Sequence, residues 1–468
     1  MLFPTFEFGL FFLGLFALVW VVGPHNEWRK LIILVGSWIF YGAWDWRFVL
    51  LLMLSAWINF LAAALIDRSQ SARVRRTVLV AGVVANLSIL GYFKYCGFFV
   101  GQATAWLRFL NLPIDPPLLE IILPVGVSFY TFQGMSYLID VYRRKCARAS
   151  LLDVTLLMSF FAHLVAGPIV RGADLIPQFR ATPRLDRRMA TEALLLIVWG
   201  LFKKTVIASY LATNLVDPVF FDPTRFGAVD LAAATYGYAV QIYCDFSAYS
   251  DMAIGLAALL GYRFPRNFDQ PYRAASLQDF WRRWHISLSS WLRDYLYIPL
   301  GGSRGGLLRV CRNLMITMLL GGLWHGASWT FVIWGGLHGL VLCLERIGRT
   351  LAPKGWPGPP TILGVVVTFH VVCLGWIFFR ASTFDDAIAF LRSFFAGSGA
   401  APTLTPLETA LIVLGLAMQA SPARLLEQCA ASLRRLPAPA AGLALAGAFL
   451  VVDGLRPGGV PPFIYFQF

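Results

Sequence analysis

Apolar runs recur along this chain from residue 5 to residue 453, separated by short polar stretches and by no long polar interval. They fall at 5–23, 31–44, 48–66, 77–99, 119–139, 190–211, 230–260, 361–379, 406–422 and 438–453. Each is close to the roughly 20 residues a helix needs to cross a bilayer core, or somewhat shorter. The pattern predicts an all-α polytopic membrane protein, a single integral domain over 1–468 with no separate soluble domain to carry chemistry. The first run has no basic residue ahead of it and no small-residue cleavage site followed by a polar domain, so it reads as a retained span.

Three further apolar segments resist simple counting. Residues 151–168 lie between basic stretches, 281–300 mix Arg with Trp, and 314–344 are flanked by Arg309, Arg312, Arg346 and Arg349. A single crossing there would put basic residues on both faces, against the preference of Lys and Arg for cytoplasmic loops. Re-entrant hairpins are expected in all three, and backbone of that kind must be covered by protein or line a water-filled cavity.

Composition agrees, with 58% hydrophobic and 14% charged residues, against about half and about a quarter in soluble domains. The net charge of +14 sits in clusters that read as short loops: Arg29 and Lys30; Arg68, Arg73, Arg75 and Arg76; Arg143, Arg144, Lys145 and Arg148. The charge therefore reports topology and attraction to anionic lipid rather than nucleic-acid binding. With the first of these loops inside, the amino terminus is outside, and 212–230 with Asp217, Asp222 and Asp230 falls outside as well. The seven cysteines form no CxxC pair and read as small buried hydrophobes. Residues 113–117 and 353–360, rich in proline, are expected loops.

Candidate chemistry centres on histidine. GGLWHGASWTFVIWGGLHG (321–339) carries His325 and His338, and FWRRWHISLSSWL (280–292) carries His285. An ionisable side chain at membrane depth is a functional candidate by default. On one continuous helix Trp281, Trp284, His285, Leu288, Trp291, Leu292 and Tyr295 share a face, with Arg282, Arg283 and Arg293 mostly off it. Two readings of His285 stay open: an interfacial histidine bonding a carbonyl, or a buried one directed into a site where Arg282 and Arg283 face an anionic donor or lipid. His325, between Trp324 and Gly326, suits a neutral imidazole that accepts a hydroxyl proton. His338 is roughly 140° further around an unbroken helix, so the two share a face only with a kink at Gly335 or Gly336; packing is the plainer reading of His338.

The remaining titratable residues are weaker candidates. His163 and His370 read as packing residues and His25 as a loop residue. No HExxH occurs, and no resident metal is expected. Asp245 and Asp251, in QIYCDFSAYSDMAIG (241–255), suit a proton path or the orientation of a histidine. Six positions apart, they point about 120° from overlap, which argues against a shared-proton dyad. The hydroxyls around them serve equally well as glue between helices. There is no Walker motif, GxGxxG or GxSxG.

The run NFDQPYRAASLQDFWRRWHISLSSWLRDYLYIPLGGSRGG (267–306), followed by RNLMITMLLGGLWHGASWTFVIWGGLHG (312–339), closely resembles the membrane-bound O-acyltransferase family in its bacterial alginate O-acetylation branch. The likeness continues in LPVGVSFYTFQGMSYLIDVYRR (123–144), YCDFSAYSDMAIGLAALLGYRFPRNF (243–268) and the terminal FIYFQF. It implies a helical bundle with re-entrant segments around a central funnel, a catalytic core at about 240–345, and the principal catalytic histidine of the WHG motif at His325. The family's second polar position falls on His285. His338, Asp245, Arg282, Arg283 and Trp324 are expected in support, with no role carried onto His338. The resemblance also implies a multi-pass protein of the bacterial inner membrane with no permanently bound cofactor. An acetyl donor such as acetyl-CoA would arrive from the cytoplasmic side, and periplasmic or membrane-anchored acetylation proteins would complete transfer to an exported polysaccharide. Alginate is the expected polymer; peptidoglycan, cellulose and D-alanyl transfer to teichoic acid are the alternatives within the class, and a proton-coupled transporter is the alternative outside it.

Overall fold

The computed structural model describes residues 3–112, 121–353, 360–397, 400–422, 424–456 and 463. The 113–117 loop, most of 353–360 and most of the terminal FIYFQF lie outside the described residues. Among those described, every regular element is a helix. The chain divides into two compact units, Met1–Arg184 with Leu260–Phe264, and Leu185–Leu259 with Pro265–Phe468.

The first unit holds α1 (Phe6–Val21), α2 (Asn26–Asp45), α3 (Arg47–Arg68), α4 (Ala72–Phe109, with a π-helical turn at Gly91–Tyr95), α5 (Val127–Tyr142), α6 (Leu151–Ser159) and α7 (Gly172–Arg180). Of these, α3 and α4 are long and apolar enough to cross a membrane, and α1 is a shorter apolar helix. Within the 119–139 run, α5 is buried along nearly all its length, its Ser128, Thr131, Gln133, Ser136 and Asp140 included, and forms the core of the unit. Asn59 and Asn86 join α3 to α4 by reciprocal amide bonds of 3.1 Å.

The first basic cluster is not a loop. Arg29 and Lys30 are buried on α2. Lys30 Nζ lies 2.8 Å from Asp153 on α6 and 2.6 Å from Glu27. The Arg29 guanidinium sits 4.7 Å from the Trp20 ring, and its Nε donates to the Val19 carbonyl. Paired charge of this kind is tolerated in a protein interior, so these two residues tie helices together. In the 151–168 segment α6 has nine residues, about 14 Å of helix and too short to cross a bilayer core, and it ends at Phe160 before a short turn at Phe161–Leu164.

The second unit holds α8 (Arg187–Leu201, continued by a π-helical turn at Phe202–Ala208), α9 (Ala228–Leu259), α10 (Leu277–Arg283), α11 (Ile286–Leu292), α12 (Leu307–His325), α13 (Trp329–Leu351), α14 (Thr361–Arg380), α15 (Phe384–Ala396), α16 (Pro406–Ala417), α17 (Leu425–Arg435) and α18 (Ala438–Leu455). α9 is buried through most of its 32 residues and is the core of this unit. The helices α12, α13, α14 and α18, and the long helical run Arg187–Phe221, each meet the length and apolarity of a membrane span. Residues 314–344 are therefore not a half-crossing segment. They form two full-length helices, α12 and α13, whose hairpin returns the basic flanks to one side and satisfies the charge rule by a different route.

Candidate active site

The hairpin turn sets the first histidine. α12 ends at His325, Gly326 is extended, and Ser328 caps α13 by accepting the Thr330 amide at 3.3 Å. The two helices touch backbone to backbone: a Cβ on Gly322 would lie 2.2 Å from the Phe331 carbonyl oxygen, and one on Gly335 would lie 2.3 Å from that of Met318. The break thus falls at residues 326–328, with no kink at Gly335 or Gly336, and His325 and His338 sit on different helices. His325 is 4% exposed. The rings of Trp324, Trp334 and Phe379 stand edge-on to it at 5.1, 5.0 and 5.2 Å. Trp334 is also 4.7 Å from His338, which is fully buried against Trp281 and Phe280. One indole therefore borders both histidines.

His285 lies in a different kind of break. The single aromatic helix expected over 281–295 does not form, because α10 ends at Arg283 and His285 takes a left-handed conformation, φ 42° and ψ 56°, before α11 begins. Such a conformation costs a non-glycine residue about 1–3 kcal/mol and persists only where neighbours over-determine it. Asn267 supplies that constraint. Its carbonyl oxygen accepts the Ile286 amide at 2.9 Å, and its Oδ1 accepts the Ser287 amide at 3.2 Å and the Ser287 hydroxyl at 2.9 Å. Its Nδ2 donates to Ser250 Oγ of α9 at 3.0 Å. The imidazole of His285 is fully buried, with Phe246 at 4.6 Å and Trp324 at 6.0 Å. Trp324 therefore neighbours both His285 and His325. Burial disfavours the imidazolium and pushes the His285 pKa down to about 3.

The supporting residues are distributed otherwise than the sequence suggests. Arg283 pairs with Asp279 at 2.9 Å and with the Asp269 carboxylate and carbonyl. Arg282 is exposed. Asp245 pairs with Lys204 at 2.7 Å, and Asp251 pairs with Lys203 at 2.7 Å. Each carboxylate has its own cation, in keeping with the angle between them. Lys203, which also donates to Ser247, and Lys204 carry a signal the reading passed over: two adjacent lysines in the apolar run 190–211. His370 bonds Tyr236 Oη at 3.0 Å and the Val366 carbonyl at 2.8 Å. His163 bonds the Leu157 carbonyl at 3.0 Å. His163 is buried, as expected of a packing residue, whereas His370 is exposed on α14.

Buried imidazoles in aromatic surroundings, at breaks between apolar helices, form a site suited to moving a proton away from bulk water. The family model for the membrane-bound O-acyltransferases matches residues 137–384, a stretch that includes His285, His325 and His338. The chain is 43% identical over 404 residues to the probable alginate O-acetylase AlgI of Azotobacter vinelandii, covering 83% of this chain and 76% of that protein. It is 41% identical over 399 residues to the protein of the same name from Pseudomonas aeruginosa, covering 82% and 72%. It is 36% identical over 420 residues to the peptidoglycan O-acetyltransferase of Helicobacter pylori, covering 83% and 78%. With a buried histidine at the centre of the WHG motif and a matched region that spans the whole site, the chain belongs to the membrane-bound O-acyltransferase family, in the branch that holds the alginate O-acetylases, and is an acyltransferase.

Proposed function

We propose that this acyltransferase moves an acetyl group from a cytoplasmic thioester donor, such as acetyl-CoA, across the bacterial inner membrane for O-acetylation of exported alginate, with His325 as the base. The observation that carries this is the placing of His325 at the end of α12, 4% exposed within a collar of Trp324, Trp334 and Phe379. In this chemistry His325 accepts the proton of a hydroxyl while its oxygen attacks the acetyl carbonyl carbon. A C–O bond forms, the C–S bond breaks, and the departing thiolate takes up the proton. His285, held neutral, acts as a hydrogen-bonding partner of the reacting groups. Separate periplasmic or membrane-anchored proteins complete delivery to the polymer.

The test is mass analysis of cell-surface polymers from cells carrying wild-type protein or His325→Ala at equal abundance. Loss of acetyl groups from alginate in the variant supports the reading; undiminished acetylation removes His325 as the base. Peptidoglycan is the second reading, favoured by the 36% identity to the Helicobacter pylori protein. The same measurement identifies it by loss of acetyl groups from muropeptides. Absence of any acetylation change on deletion of the protein would point instead to transport.

A further inference from the structure

Two cysteines face each other across the hairpin that carries His325. Contact between α12 and α13 repeats at regular steps away from the turn: Gly322 against Phe331, Met318 against Gly335, and Met315 against Gly339. Each step is three or four residues back along α12 and four forward along α13, the spacing that keeps one face of each helix against the other. One further step brings Cys311 opposite Cys343. A Cβ built on Gly339 would stand 3.4 Å from the Met315 Cα, so, with one C–C bond of about 1.5 Å added, the two Cα atoms there are at most about 5 Å apart. A disulfide needs about 4.4–6.8 Å between its Cα atoms.

The two side chains are in contact. The Cys343 thiol donates to the Cys311 carbonyl at 3.3 Å, 32 positions away in sequence, and it also interacts with the Cys311 thiol. Cys343 is buried, whereas Cys311 is only partly so, a departure from the expectation that all seven cysteines are buried hydrophobes. Arg309 and Arg312, on either side of Cys311, are exposed, as is Arg346 three positions beyond Cys343. Charged side chains thus place this end of the hairpin at the membrane surface, within reach of a small polar oxidant. The turn with His325 lies about 21 Å away along α12.

We propose that Cys311 and Cys343 are a site of reversible oxidation by hydroperoxides, and that their disulfide fastens the open end of the α12–α13 hairpin. A peroxide oxygen passes to the Cys311 sulfur, giving a sulfenic acid, and the rest of the peroxide leaves as water or an alcohol. The Cys343 sulfur then attacks that sulfur. An S–S bond forms, the S–O bond breaks, and the departing hydroxyl leaves as water with the Cys343 proton. A dithiol reverses the reaction by exchange. The cross-link joins the helices at the ends far from their turn and restricts the unfolded chain, which stabilises the folded hairpin. The site is separate from the acyl-transfer chemistry, and its failure would leave that reading untouched.

The test treats purified full-length protein in detergent with hydrogen peroxide, blocks the remaining thiols, and maps cross-linked peptides by mass spectrometry without reduction. The expected result is a peptide pair joined through Cys311 and Cys343, with a rise in melting temperature that dithiothreitol reverses. Cys311→Ser and Cys343→Ala are each expected to abolish both the joined pair and the rise, and the mapping of wild-type protein decides the matter if either variant fails to accumulate. Both thiols left free, Cys311 carried on to sulfinic acid without a link, or a link from either residue to another cysteine overturns the proposal. A link formed with no change in melting temperature overturns the fastening of the hairpin.

Discussion

Asn267 Oδ1 accepts both the amide and the hydroxyl of Ser287, at 3.2 and 2.9 Å, and so clamps the turn that carries His285. The same amide reaches α9 through Ser250. His285 is thus held against α9 by a residue eighteen positions upstream. Asn267→Ala is expected to reduce acetyl transfer tenfold or more per accumulated protein, because the left-handed turn loses its side-chain constraint. Ser287→Ala leaves the amide bond in place and is expected to cost less than threefold. Turnover measured in membranes against protein abundance checks both, and wild-type turnover in Asn267→Ala would detach the clamp from function.

Burial holds the His285 pKa near 3, so the ring is neutral from pH 5 to pH 9. Any loss of activity as pH falls through that window therefore belongs to a different group. His285→Asn is expected to lower the rate at every pH in the window and leave the shape of the pH–rate profile unchanged. A profile whose acidic limb moves in His285→Asn would show that the ring titrates during turnover.

The hairpin of α12 and α13 depends on backbone contact at two glycines. A methyl group on Gly322 would meet the Phe331 carbonyl oxygen at 2.2 Å, whereas one on Gly336 meets only Leu319 Cδ2 at 3.6 Å. Gly322→Ala is expected to destabilise the fold by about 1–3 kcal/mol and to reduce transfer, while Gly336→Ala is tolerated. Thermal unfolding in detergent separates the two, and equal melting temperatures would refute the close approach.

Lys204 and Asp245 are both almost fully buried and 2.7 Å apart. Removing one partner leaves a buried charge uncompensated, so Lys204→Met is expected to cost about 3–5 kcal/mol. Lys204→Met with Asp245→Leu removes both charges and is expected to recover most of that loss. A double variant no more stable than the single one would mean that the pair does not interact as described.

The sequence made some of this legible and hid the rest for identifiable reasons. Apolar runs and basic flanks marked the helices and showed that 151–168, 281–300 and 314–344 were unusual. For 314–344 the flank rule admits either a half-crossing loop or two full crossings, and helix length decided for the second. The turn had a local cue, Gly326 followed by the capping Ser328, which competed with the more conspicuous Gly335 and Gly336. Arg29 and Lys30 resemble a loop cluster because Asp153, the partner of Lys30, is far away in sequence. Apolarity marks α5 and α9 as helices but does not tell that protein, and not lipid, covers most of their surface. The grip of Asn267 on the His285 turn is a tertiary contact with no periodicity to announce it, whereas Lys203 and Lys204 were visible as charges inside an apolar run.

Those two lysines also bear on how the chain is made. A lone lysine near the middle of a helix raises the free energy of membrane insertion by about 2.5–3.5 kcal/mol, and the π-helical turn after α8 carries two in succession, paired with Asp251 and Asp245 on α9. Released singly into lipid, either segment would hold bare charge; released as a pair, the two neutralise each other. The two segments are therefore far more favourable in lipid together than apart, and α8 and α9 are expected to enter the membrane as one unit.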